Sequence, residues 1–424
     1  MSLVIRDLKE SNAFLNILFE NITSAVFIVD KDYKVHTVNN TFEILFEKQP
    51  PEILGYLCGD VIGCGFASDE NKSCGATSHC KKCDLRNASY KTVVEKQAMT
   101  RKVLSRDFVI NNQRYTKHFL FSSKPIHYED SDMAMIIVDD ITESEEQKNE
   151  IREKNREIMQ SIRYARGIQT TVLTAKKVIQ SIFHESFVLF MPKDIISGDF
   201  YWVAREGNRR FFAVADCTGH GVPGAIMSML GITLLNEITR KFPVAHAGEI
   251  LDRLRGEIIH YLKQQGVSGE HKDGMDIALC IIETAAGTQT RIKLQYAGAN
   301  IPLYVAQSGV NSRLTPKNNS IPQTILEVKP DKQPIGIYVN MVPFTVNKLT
   351  LKKGDMVYLA SDGYEDQFGG PEKKKFKSRR MKDLFAEICH NKPGDQLQDL
   401  EIEFLKWKGR NEQVDDVCIF GVRL

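Results

Sequence analysis

The chain has 424 residues, room for two or three domains, with 42% hydrophobic and 26% charged residues, ordinary for a soluble globular protein. A net charge of +2 carries no nucleic-acid footprint, and no apolar run reads as long enough to cross a bilayer. The start, "MSLVIRDLKE", is charged and lacks a signal-peptide core. The expectation is a cytoplasmic protein with neither nucleic acid nor membrane as partner.

Residues 14–145 read as one mixed α/β unit. "FLNILFENI" has helical spacing, and "AVFIVDKDYKVHTVNN" reads as strand, turn, strand around the polar "DKDY". "TFEILF" is a short helix, and "RYTKHFLFSSKPI" and "MAMIIVDDIT" are late strands. This order, with "IVDKDYKVHTVNNTFEILF" and the exit "IIVDDITE", resembles a PAS sensor domain.

Five of the nine cysteines, Cys58, Cys64, Cys74, Cys80 and Cys83, crowd into residues 58–83 of this unit. Cys64, Cys74, Cys80 and Cys83 read C-x9-C-x5-C-x2-C, and the last pair has metal-ligand spacing. Four thiolates suit Zn²⁺ or an Fe–S cluster; the bland alternative is a set of reduced thiols.

Residues 146–180 change character. Ile151, Ile158, Ala165 and Val172 recur every seven residues, and Asn155, Ile162 and Gln169 take the complementary positions. The pattern predicts a parallel two-stranded coiled coil, hence a homodimer, against the plainer reading of one solvated connector helix.

From residue 181 to 424, strand-like runs alternate with helices, among them "RRFFAVAD", "DIALCIIE", "DMVYLASD" and "DDVCIFGVRL". The long helices are "PGAIMSMLGITLLNEITRKF" and "AGEILDRLRGEIIHYLKQQ". The class is α+β with packed sheets. The basic "EKKKFKSRR" at 372–380 reads as a solvated loop.

Acidic residues mark strand ends throughout this region: Asp199 opens a strand in "SGDFYW", Asp216 and Asp362 close strands, and Asp415 and Asp416 stand at the mouth of the last one. Carboxylates converging without His or thiolate partners select hard cations such as Mg²⁺ or Mn²⁺. Two such ions can lower the pKa of a bridging water and aim it at phosphorus.

"PKDIISGDFYW", "AVADCTGHGVPGA", "KDGMDIALC", "YAGANIPLY", "KQPIG", "LASDGYEDQFGG" and "EQVDDVCIFGV" come in this order. Together they resemble the SpoIIE/RsbU branch of the metal-dependent PPM phosphatases (the protein phosphatase 2C fold), over residues 165–424. The resemblance implies a PPM β-sandwich flanked by helices, with two Mn²⁺ or Mg²⁺ ions. Asp216 would bridge the ions, the backbone carbonyl of Cys217 would be a ligand, and Asp199, Asp362 and Asp415 would complete the site. It makes Asp216 and Asp199 the catalytic pair, prefers Asp415 to Asp416, and adds Asp273 and Asp276 as weaker candidates near a looser metal. It also implies a phosphoserine or phosphothreonine on a STAS-type anti-sigma-factor antagonist as substrate. No counterpart is found for the phosphate-gripping arginine of eukaryotic relatives.

His220, in the glycine loop, reads as a packing residue or a phosphate contact. His184 in "SIFHESF" lacks the nucleotide-binding context a histidine kinase needs. The rival to an enzyme is a non-catalytic PAS-dimer binding module, which the retained acidic set disfavours.

Overall fold

The computed structural model describes residues 8–128, 131–266, 272–283, 291–307 and 325–424; the first seven residues, part of the charged start, lie outside that set. It divides into two compact units, Met1–Arg156 and Glu157–Leu424.

The first unit is built on β1 (Ala25–Val29), β2 (Val35–Val38), β3 (Met99–Ile110), β4 (Gln113–Tyr128) and β5 (Ser131–Asp140). They form one antiparallel sheet in the order β2-β1-β5-β4-β3, with helices between β2 and β3, a PAS-like arrangement. Alternation sends Ala25, Phe27 and Val29 into the core, against Phe42 and Phe46 of the helix Asn40–Phe46. Buried Asn39 joins the two: its Oδ1 accepts from Val26 N at 2.8 Å and from Phe42 N at 3.1 Å. Sequence reading missed β3 and the helix Asp84–Val94. The first half of β3 is an exposed edge with a register shift between Met99 and Lys102, so it carries little alternation.

The helix Thr142–Val172 is unbroken and is followed by a shorter one, Lys176–Ile182. The boundary between the units falls inside it. Gln169 corrects part of the heptad reading. Its side chain is buried, with Nε2 donating to Ser197 O at 2.6 Å and Ser228 Oγ at 2.8 Å, and Oε1 accepting from Ser197 N at 3.2 Å. It is a docking residue for the second unit, not a seam position. Ile151 and Ile158 are exposed.

The second unit contains β6 (Ser186–Met191), β7 (Phe200–Glu206), β8 (Arg209–Cys217), β9 (Met275–Glu283), β10 (Arg291–Ala299), β11 (Leu303–Ala306), β12 (Leu326–Val328), β13 (Asn347–Lys352), β14 (Met356–Ala360), β15 (Phe368–Gly369), β16 (Lys374–Lys375) and β17 (Val417–Arg423). Two five-stranded sheets, β13-β10-β9-β8-β7 and β12-β11-β14-β17-β6, pack face to face. Phe212, Val214, Ala278 and Cys280 of one sheet meet Val357, Leu359, Cys418 and Phe420 of the other. The opposite side-chain rows face helices. Phe211, Ala213 and Ala215 pack with the helices Gly221–Lys241 and Ala247–Tyr261. Tyr358 and Ile419 pack with Ser378–Ile388 and Pro393–Lys408.

Two expectations change here. The tract 372–380 is no free loop: Lys374–Lys375 pairs with Phe368–Gly369, and Phe376 is buried against Tyr364 and Trp407. Among the described residues one helix, Gly221–Lys241, is long and apolar enough to cross a membrane by length and composition; here ten of its residues are buried in the fold.

Candidate active site

The two-residue period of the strands builds the site. Phe212 and Val214 point between the sheets, and Asp216 continues that row at the end of β8. Asp276 stands directly opposite Asp216 in the ladder and leads the inward row Ala278, Cys280, Ile282. Asp199 immediately precedes β7, whose Phe200 pairs with Ala215. From the other sheet, Ser361 and Asp362 follow β14, and Asp415 and Asp416 precede β17. All lie at one end of the sandwich, where apolar rows give way to carboxylates.

Asp199 is fully buried, and its Oδ2 accepts from Ser361 Oγ at 2.5 Å. Ser361 Oγ in turn accepts from Cys418 N at 2.9 Å, so one hydroxyl ties the two sheets together. Asp216 has Asp199 and Asp362 as its neighbouring carboxyls. Burial, then the neighbouring charges, forces these groups upward. Burial and the Asp216 charge hold Asp199 well above the usual carboxylate range. Burial, then Asp362 and Asp415, pushes Asp216 up to about 8. Asp362 is raised by burial and Asp415. Burial lifts Asp276 to about 6, opposed by a 2.8 Å hydrogen bond from Asn300.

Asp415 and Asp416 separate cleanly. Both oxygens of Asp416 are taken by backbone, from Lys193 N and Gly198 N at 2.7 Å each. Asp415 is the one whose charge acts on Asp216 and Asp362. Asp276, not Asp273, lines the cleft with Asp216 and Asp362. Asp273 precedes β9 and so falls outside the inward row; its carbonyl accepts from Gln264 Nε2 at 2.6 Å.

The glycine loop is a device for close backbone approach. Gly219 and Gly221 have φ of 82° and 68°, in the left-handed region. A Cβ on Gly224 would lie 2.1 Å from Gly219 O, and one on Gly198 2.7 Å from the same atom. The Asp199 and Asp216 loops therefore touch through bare backbone, and the carbonyl of Cys217 lies 3.3 Å from a Cβ position on Gly198. His220 is exposed and pairs through Nδ1 with Asp194 Oδ2 at 2.8 Å.

The cleft over these carboxylates has a volume of about 650 Å³, with Lys329 and Lys332 as its basic wall. Among the described residues no three His, Cys, Asp or Glu side chains are already gathered to grip one ion. The donor set nevertheless fits hard cations. It is all oxygen, it is crowded, and Asp216, with Asp199 and Asp362 as neighbours, cannot ionise together with both unless positive charge lies between them. Sequence reading missed Ser361 and gave no weight to Asn300. The signal for Ser361 was available in its place, one residue inside a strand-ending aspartate.

A two-sheet sandwich with helices on both outer faces and carboxylates on one rim defines the PPM phosphatase class. The model of the family Stage II sporulation protein E (SpoIIE) matches residues 206–424, over half of the chain, and the chain belongs to that family of serine/threonine phosphatases. It is similar to the SiaA-PP2C domain of Pseudomonas aeruginosa: 25% identity, TM-score 0.53, covering 64% of this chain and 98% of that one. A more distant likeness is the PP2C phosphatase domain, with a fragment of the regulatory domain, of the cell fate determinant SpoIIE from Bacillus subtilis (14% identity, TM-score 0.42, 81% and 86% coverage). Another is the PAS domain of an HTR-like protein from Haloarcula marismortui (18% identity, TM-score 0.23, 32% and 94% coverage). None of the curated proteins matches the chain.

Proposed function

We propose that the carboxylate rim is a two-cation site for hydrolysis of phosphoserine or phosphothreonine in a protein. The convergence of Asp199, Asp216, Asp362 and Asp415 at one end of the sandwich supports this reading. Asp216, Asp199, Asp362, Asp415 and the Cys217 carbonyl would hold two Mn²⁺ or Mg²⁺ ions, which when bound lower the pKa of a water and neutralise phosphoryl oxygens. The protein's own groups prepare the rest. Ser361 fixes the rotamer of Asp199, and Asp416 clamps the loop that carries it. By family resemblance Asp199 and Asp216 would be the catalytic pair. Lys329 and Lys332 stand where a phosphoprotein would enter and supply the positive charge that an arginine supplies elsewhere.

The finer assignments rest on family resemblance. The substrate would be a phosphorylated STAS-type anti-sigma-factor antagonist, in the cytoplasm. The PAS-like unit, residues 14–145, would regulate through the segment 146–180. Exposed Ile151 and Ile158 favour pairing of that segment with a second copy. Full-length chain with Mn²⁺ should release phosphate from phosphoserine and phosphothreonine peptides and leave phosphotyrosine peptides intact. Release from phosphotyrosine at the same rate, or from none of the three, refutes the reading. Light-scattering mass tests the dimer, and a monomer removes it.

A further inference from the structure

The cysteine-rich segment of the first unit is folded tightly without any disulfide; all nine cysteines are free. Cys58 opens the helix Cys58–Val61, Cys64 caps Gly65–Glu70, Cys80 lies in a 3-10 turn, and Cys83 caps Asp84–Val94. Backbone contact fastens the first part of this segment to β3. Val109 N donates to Gly63 O at 2.7 Å, and a Cβ on Gly63 would lie 2.1 Å from Val109 O. Asp60 Oδ1 accepts from Cys74 N at 2.7 Å, and Glu70 accepts from Ser78 N at 2.9 Å and Ser78 Oγ at 2.6 Å. His79 stacks on Phe66 at 4.0 Å. The result is that Cys58, Cys64, Cys74, Cys80 and Cys83 line one cavity, with Arg86 and Arg106 on its wall.

The hydrogen bonds sort the five thiols. Cys80 Sγ accepts from Gly75 N at 3.1 Å and meets Thr77 Oγ1 at 2.9 Å. Cys64 and Cys83 accept from the two ends of Arg106 at 3.5 and 3.6 Å. Cys74 lies against the turn that follows Cys58: a Cβ on Gly59 would stand 2.4 Å from Cys74 Sγ. Three sulfurs thus face hydrogen-bond donors, which suits thiolates. Cys58 alone of the five is buried in the apolar core, at 2% exposure. Arg86 Nη1 is a buried N–H without a hydrogen-bond partner, beside Gly75 on the same wall. A buried guanidinium N–H so placed calls for an acceptor in the cavity.

The thiols ring a cavity instead of meeting at a point. A zinc site needs four sulfurs about 2.3 Å from one atom, yet among the described residues no three donors are gathered for a single ion. An iron–sulfur cluster spreads its ligands because iron and bridging sulfide fill the middle, and its potential responds to charge and hydrogen bonds at the sulfurs.

We propose that this cavity holds an iron–sulfur cluster ligated by Cys64, Cys74, Cys80 and Cys83, with Arg86 and Arg106 offsetting its negative charge and Cys58 outside the ligand set. Loading is ligand exchange without electron transfer. Each of the four protein thiols forms an Fe–S bond and passes its proton to the small thiolate it displaces.

The test uses full-length chain, purified anaerobically and mixed with a preformed cluster carrying small-thiol ligands, then desalted. The expected result is iron and acid-labile sulfide retained in equal amounts, with broad visible charge-transfer absorption. Cys80→Ser/Cys83→Ser should retain at least tenfold less of both, and Cys58→Ser should retain as much as wild type. If the double variant fails to fold by circular dichroism, Cys64→Ser alone is read the same way. Retention of zinc but no sulfide, retention of neither, or equal losses in Cys58→Ser and the ligand variants would each overturn the proposal.

Discussion

Replacing Asp216 with asparagine should have opposite effects on stability and on activity. Asp216 keeps its proton to about pH 8, against an ordinary 3.8, chiefly because of burial and the charges of Asp362 and Asp415. The unfolded chain loses that proton at the ordinary value. Native stability therefore falls as pH rises from about 4 towards 8, by at most about 1.4 kcal/mol per pH unit, or about 4 kcal/mol at pH 7. The Asp216 residue is only half-buried, and solvent screening reduces the expected gain to about 1–2 kcal/mol. The asparagine side chain carries no charge, so in chelator the variant should be the more stable protein at pH 7 and match wild type near pH 4. Urea midpoints across that range measure the gap. With Mn²⁺ present the same variant should lose at least about 100-fold in phosphatase rate, roughly 2.7 kcal/mol of barrier. A variant less stable than wild type in chelator at pH 7 would refute the idea that carboxylate crowding strains this rim.

Three further substitutions probe its supports. Ser361→Ala removes the 2.5 Å hydrogen bond to Asp199 and leaves Cys418 N unpaired; it should cost about 1–2 kcal/mol of stability and lower kcat about tenfold with the fold intact by circular dichroism. Gly224→Ala places a Cβ 2.1 Å from Gly219 O, so thermal unfolding should show a loss of about 2 kcal/mol or more. Gln169→Leu strands Ser197 and Ser228, three hydrogen bonds in all; denaturant unfolding should show a loss of about 2–3 kcal/mol, and kcat should fall because the Ser197 backbone leads directly into Asp199.

What the sequence revealed, and what it hid, follows from how local each signal is. Asp199, Asp216, Asp362 and Asp415 were legible because Asp199 and Asp415 precede apolar runs and Asp216 and Asp362 close them, and strand ends at one edge of a sandwich share a rim. The separation of Asp415 from Asp416 was not readable from residues alone, since it depends on the amides of Lys193 and Gly198, more than 200 residues away. Ser361 was hidden for the same reason: its partner lies 162 residues earlier, in the other sheet. Asp276 could have been preferred to Asp273 from the inward row Ala278, Cys280 and Ile282. Gln169 was misread because a buried glutamine in a heptad looks the same whether its partners lie on a second helix or on a folded unit. The edge strand β3 showed no alternation because water covers both its faces over the first half.

The most direct test of the central claim is hydrolysis of a phosphoserine peptide by the full-length chain, with chelator and then with added Mn²⁺. Phosphate release should be absent in chelator, appear on adding Mn²⁺, and stay absent in Asp216→Asn and Asp362→Asn at every Mn²⁺ concentration. Hydrolysis that persists in chelator, or that survives loss of both aspartates, would contradict the assignment of this carboxylate rim as a metal-dependent phosphatase site.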